Sequence, residues 1–141
     1  MQPWHNKLAA LEPCSEALEW AKKYSTVQEA WDACERGDWL AWFAGRVGLT
    51  PKRRRQLVLA AVDIAETVAH LNPDPRVMEA ITAARTWANN PTEKNAAAWA
   101  AAWDAAGDAA WAAAWDAAWA GDASLSNSAQ IIRKHLTCPK F

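Results

Sequence analysis

Residues 31–42 read WDACERGDWLAW and set three carboxylates, Asp32, Glu35 and Asp38, among the indoles of Trp31, Trp39 and Trp42. Three acids this close could chelate a hard cation, but their spacing matches no calcium loop. Two other uses remain open. The acids can pair with basic residues of the chain while the tryptophans enter the core, or they can form an acidic patch for a basic partner.

The matching basic group is the run Lys52, Arg53, Arg54, Arg55. It falls in the first turn of an expected helix, where the macrodipole disfavours each cation by roughly 0.3–1 kcal/mol. Something anionic must offset that, whether the acids of residues 31–42, a phosphate or an acidic partner.

Other chemistry-bearing groups are sparse. His70 follows Glu66 by four residues and Asp63 by seven, a spacing that serves an acid–base or metal pair and equally a solvated polar stripe. His5 and His135 have no evident partners. The three cysteines, Cys14, Cys34 and Cys138, are odd in number and widely spaced, with no C-x-x-C pair, which argues against a disulfide framework or a structural zinc site. No G-x-S-x-G, P-loop or H-E-x-x-H signature occurs. The expectation is a protein that is not an enzyme and needs no metal or cofactor.

The densest aromatic region is AAAWAAAWDAAGDAAWAAAWDAAWAGD, residues 96–122, which holds five of the eleven tryptophans. Residues 96–107 and 108–119 form a 12-residue repeat that differs only at its first and last positions. An α-helix turns about 100° per residue, so a spacing of four drifts about 40° at each step. The indoles therefore spiral rather than align. One face carries Trp99 and Trp103 and then only small residues, suited to close approach of another helix. The other carries Asp104, Asp108, Trp111, Trp115 and Trp119, where carboxylates can accept from indole N–H groups. Either the tryptophans pack between shorter helices, or those of the second face line a groove for a partner, since indoles are enriched at binding hot spots.

These groups must be positioned by helices, because strand signals are nearly absent. Pro13 can start a helix running to about Tyr24, and the TVQE capping box at Thr26 starts another. Gly37-Asp38 either ends that helix and caps a new one, or the helix continues and aligns Trp31, Glu35, Asp38 and Trp42. Thr50-Pro51 opens a helix with an apolar face in Leu57, Ala61, Ile64, Val68 and Leu71. Asn72-Pro73-Asp74-Pro75 restarts the chain into a helix with Val77, Ile81, Ala84 and Ala88 inward, and Thr92 caps the alanine-rich segment.

The expected fold is all-α, a single-domain bundle of six to seven helices around the long Ala/Trp-rich helix. It comprises an N-terminal helical extension (1–25), a central group (26–88), the long helix (92–121) and a C-terminal helix (126–137). A chain of 141 residues can bury roughly two-thirds of its unfolded surface. A net charge of −1 argues against a nucleic-acid binder. No run approaches 18 apolar residues without charge, so no membrane span is expected and the chain reads as cytoplasmic.

From residue 27 onward the order of segments resembles a known family. VQEAWDACERGDWLAWFAGR, PKRRRQLVLAAVDIAETVAHL, ITAARTWANNPTEKNAAAWAAAW and SAQIIRKHL are similar to the alanine-rich immunity proteins associated with bacterial polymorphic toxin systems. Its most specific parts are Asp32 to Trp42, Arg54 to Ala61 and the closing IIRKHL. The resemblance implies an all-helical intracellular protein that binds and neutralises a toxin or, if phage-borne, blocks a host defence protein. The tryptophan content of residues 96–122 departs from the family, whose long helix is mainly alanine.

Three functions follow as expectations. The first is a non-enzymatic inhibitor with a protein target. The second is a binder of a nucleotide or other small anionic ligand, with indoles stacking on the base and Arg53–Arg55 holding phosphate. The third is a structural or oligomerisation module that uses the alanine face.

Overall fold

The computed structural model describes residues 2–69, 74–106 and 122–141. Among these there are eight helices and no strand: α1 (Pro3–Ala9), α2 (Ser15–Ala21), α3 (Val27–Ala33), α4 (Gly37–Arg46), α5 (Pro51–Val68), α6 (Pro75–Asn89), α7 (Glu93–Ala106) and α8 (Asp122–His135). The all-α class is as expected. The additional helix is α1, which has proline in its first turn and a reciprocal cap between Gln2 and His5.

The helix starts follow local chemistry. The hydroxyl of Thr26 accepts from the Glu29 N–H at 3.1 Å, that of Thr50 from Arg53 N–H at 3.1 Å, and that of Thr92 from Asn95 N–H at 3.1 Å. The Asp74 carboxylate accepts from Arg76 N–H at 3.0 Å. Each satisfies a first-turn donor that the helix leaves unpaired. The Glu29 carboxylate reaches back one residue further than a standard capping box, to the Ser25 N–H.

The core has two parts that meet on α5. Ala60 and Ile64 join Leu8, Trp31, Leu40, Phe43 and Ile132 in the first. Val62, Ala65 and Ala69 join Val77, Ala80, Ile81 and Ala84 in the second. The expected α5 face is therefore only half right. Leu57 and Ile64 do face the first core, but α5 lies between two groups of helices and buries a second side, to which Ala61 contributes. On α6 the four expected positions, Val77, Ile81, Ala84 and Ala88, are all buried.

The chain does break between Trp31 and Trp42, but not as a glycine C-cap. Residues Cys34–Arg36 leave the helix, and Gly37 is the first residue of α4. A Cβ at Gly37 would stand 2.5 Å from the Ser128 Cβ and 2.8 Å from the Ala129 nitrogen. Glycine is needed there because α8 crosses α4 in direct contact. The break removes the continuous alignment of Trp31, Glu35, Asp38 and Trp42. Beyond α8 the tail turns back over α4, with Pro139 buried and Phe141 edge-on to Phe43 at 5.3 Å.

In α7, Trp99 and Trp103 pack against the second core, and Trp99 meets Trp87 of α6 with ring centroids 5.2 Å apart. This is the scaffold use of the indoles. His70, Leu71, Asp108, Trp111, Trp115 and Trp119 lie outside the described residues, as does the expected continuation of the long helix to residue 121.

Candidate functional site

The first four helices wrap around a cleft of about 370 Å³ that is open at its mouth. Five indoles line it: Trp4 of α1, Trp20 of α2, Trp31 of α3, and Trp39 and Trp42 of α4. Trp39 and Trp42 share one side of α4 because residues three apart are neighbours on a helix. Trp31 forms the floor, 4% exposed and tilted against Phe43. Trp20 stands 5.7 Å from Trp39 and 4.8 Å from Tyr24, measured between ring centroids.

Two anchors hold α1 in place as the outer wall. The Trp4 indole N–H donates to the Ser25 carbonyl at 3.1 Å. His5, fully buried, accepts at Nδ1 from the Gln2 N–H at 2.8 Å. Nε2 therefore carries the proton and donates to the carbonyls of Ala21 and Tyr24, each at 3.0 Å. His5 thus has partners after all, and they come from a helix end that is distant in sequence.

The charged groups of the lining are Glu16, Arg36 and Asp38. The Arg36 guanidinium donates to both Asp38 oxygens, at 3.0 and 2.8 Å, and lies 3.8 Å from Glu16. It also stacks over the Trp39 ring, 4.5 Å from the centroid. The hydrogen bond to Asp38 raises the Arg36 pKa further above its ordinary value. Cys34 lies in the floor, and burial pushes its thiol up. Cys14, by contrast, is exposed at the rim.

Of the acids in residues 31–42, only Asp38 belongs to the cleft. Asp32 is exposed and accepts from Gln28 Nε2 at 3.0 Å, and Glu35 is exposed. The expected pairing of these acids with Arg53–Arg55 does not form for Asp38, which takes Arg36 two residues away instead. Among the described residues no group of three His, Cys, Asp or Glu side chains is placed to hold a metal.

The arginine run does not act as one patch. Arg53 donates to the carbonyl of Thr137 at 2.7 Å and to its hydroxyl at 3.1 Å. Its partners are thus the hydroxyl and carbonyl of Thr137, just beyond the end of α8, not a carboxylate. Arg54 lies over Trp87, 5.6 Å from the ring centroid, and Arg55 is half-buried. Consecutive residues on a helix point about 100° apart, which sends the run toward different neighbours. None of the three lines the tryptophan cleft.

Asp63 and Glu66 pair with groups that the sequence does not bring near them. His135 Nε2 lies 2.6 Å from Asp63, and Arg85 bridges Asp63 at 3.2 Å and Glu66 at 2.5 Å. His135, without an evident partner in the sequence, joins α8 to α5 here. Burial alone would raise the Asp63 carboxyl, but the hydrogen bonds from His135 and Arg85 outweigh it and hold the pKa below the ordinary value. On α7, Asp104 is exposed.

The cleft therefore brings together Trp31, Asp38, Trp39 and Trp42 of the acidic and aromatic segment 31–42, and adds Trp4, Glu16, Trp20 and Arg36. The missed indoles lie on short helices whose convergence no periodicity encodes. Trp39, three residues before Trp42, carried the one local signal. No protein-family model, no curated protein and no solved structure matches the chain.

Proposed function

We propose that the chain is a non-enzymatic inhibitor that binds a protein target inside the cell, as its resemblance to toxin-immunity proteins implies, and that the tryptophan cleft anchors that target. The supporting observation is that five indoles converge on an open cleft, with Trp31 buried at its floor and the other four only partly buried around it. Tryptophan is enriched at binding hot spots, where a pocketed aromatic surface excludes water around an inserted side chain. The target is a toxin or, for a phage-borne chain, a host defence protein.

A photo-crosslinking amino acid, benzoylphenylalanine, placed at position 39 tests this in the native host. A crosslinked protein identified by mass spectrometry, and lost on adding Trp20→Ala, supports the proposal. A chain that stays uncrosslinked to any protein, or carries only a small-molecule adduct, sinks it.

The cleft volume favours a second reading. About 370 Å³ falls within the roughly 300–1,000 Å³ typical of small-ligand sites. Such a ligand would stack on Trp20 or Trp39 without help from Arg53–Arg55. Tryptophan fluorescence titrated with a nucleotide panel checks this. An unchanged spectrum together with no thermal shift removes the reading.

A further inference from the structure

We infer that the anchor this cleft accepts is a cationic side chain, arginine or lysine, from a basic segment of the partner, and that Arg36 fills the cation's place in the free protein. The inference rests on the reading of the cleft as a protein-binding site.

The charge of the lining points that way. Its carboxylates are Glu16 and Asp38 and its cation is Arg36, so it carries one negative charge in excess. Both carboxylates face the same guanidinium, one in bidentate contact and the other at 3.8 Å. An incoming anion would have to displace carboxylates already in position. An incoming cation would meet them.

The indoles make the same choice. Trp39 is covered by the Arg36 guanidinium at 4.5 Å and Trp42 by that of Arg46 at 4.9 Å. Both distances are inside the roughly 6 Å over which the negative face of an aromatic ring attracts a cation. Both rings thus hold a guanidinium from the chain itself, that of Arg36 within the lining and that of Arg46 outside it. The surroundings agree, with seven acidic against five basic residues over positions 1–46. Exchange is easiest at Glu16, whose side chain is 76% exposed and whose contact with Arg36 is the looser one.

The test uses three blocked tripeptides, Leu-Arg-Leu, its neutral isostere with citrulline in the centre, and Leu-Glu-Leu, titrated against the intact chain by tryptophan fluorescence. The arginine peptide should bind roughly fivefold tighter than the citrulline peptide, and the glutamate peptide weakest. Arg36→Gln should tighten the arginine peptide several-fold, and by more than it tightens the citrulline peptide. Glu16→Gln, at an exposed position where folding is not at stake, should narrow the difference between the two. Equal binding of the arginine and citrulline peptides, preference for glutamate, or weaker arginine-peptide binding by Arg36→Gln overturns the inference and leaves the cleft as a binding site. If none of the three peptides binds, the inference falls together with the cleft.

Discussion

The Arg133 guanidinium of α8 reaches the backbone of α3, donating to the Trp31 carbonyl at 3.2 Å and also to the Cys34 carbonyl. These are carbonyls of the last turn and the exit of α3, which a helix leaves without partners of its own. The cation also meets the negative end of the helix dipole. A residue 102 positions away thus closes the helix that carries the floor of the cleft.

Arg133→Met keeps much of the apolar stem but removes these bonds. Hydrogen bonds to a charged group contribute about 1.5–3 kcal/mol, so a loss in that range is expected in urea denaturation. Because Trp31 lies at this helix end, its near-ultraviolet circular dichroism should change too. An unaltered urea midpoint would show that water replaces the guanidinium without cost.

Gly37→Ala reverses the usual sign of a glycine substitution in a helix. Propensity alone would favour alanine by about 1 kcal/mol. The added Cβ, however, meets the Ser128 Cβ at 2.5 Å and backbone atoms at 2.8 Å, and forced overpacking costs typically about 1–3 kcal/mol. A net fall in Tm is expected. Adding Ser128→Gly should not restore it, because the backbone clash remains.

Asp63 gives the fold an acid limb. Its pKa lies below the ordinary value of 3.8, so as pH falls the unfolded chain takes up the proton first. The stabilisation is complete above about pH 4 and is lost as pH drops through the lower, folded value. Asp63→Asn should cost about 1 kcal/mol at pH 7, the scale of partly exposed ion pairs. Urea midpoints of the two proteins should converge in acid. A gap that stays constant down to pH 3 would contradict this.

The three thiols should react in a fixed order. Cys14 is exposed, Cys34 is buried, and burial pushes Cys138 up to about 11. The thiolate is the nucleophile, so iodoacetamide at pH 8 should label Cys14 first. Mass spectrometry of the digested protein follows the order. Early labelling of Cys138 would mean that the tail leaves its place on the fold.

Core substitutions should separate the two sides of the helices. Ile64 is 1% exposed on α5, whereas Met78 is 43% exposed on α6. Ile64→Ala should cost about 2–5 kcal/mol and Met78→Ala within about 0.5 kcal/mol, both measured by denaturation. Equal effects would contradict the burial of Ile64 in the first core.

Sequence alone determined the helical class, the starts at Thr26, Thr50, Asp74 and Thr92, and the buried side of α6. These rest on side-chain-to-backbone bonds within three residues, or on a 3.6-residue period, and both are complete within one segment. Tertiary structure decided the rest. It set Gly37 against Ser128, turned Arg53 to Thr137, paired Asp63 with His135, and gathered Trp4, Trp20, Trp31, Trp39 and Trp42 around one cleft. The physical reason is that each of these contacts joins segments whose relative placement depends on how whole helices pack, and no local spacing carries that information.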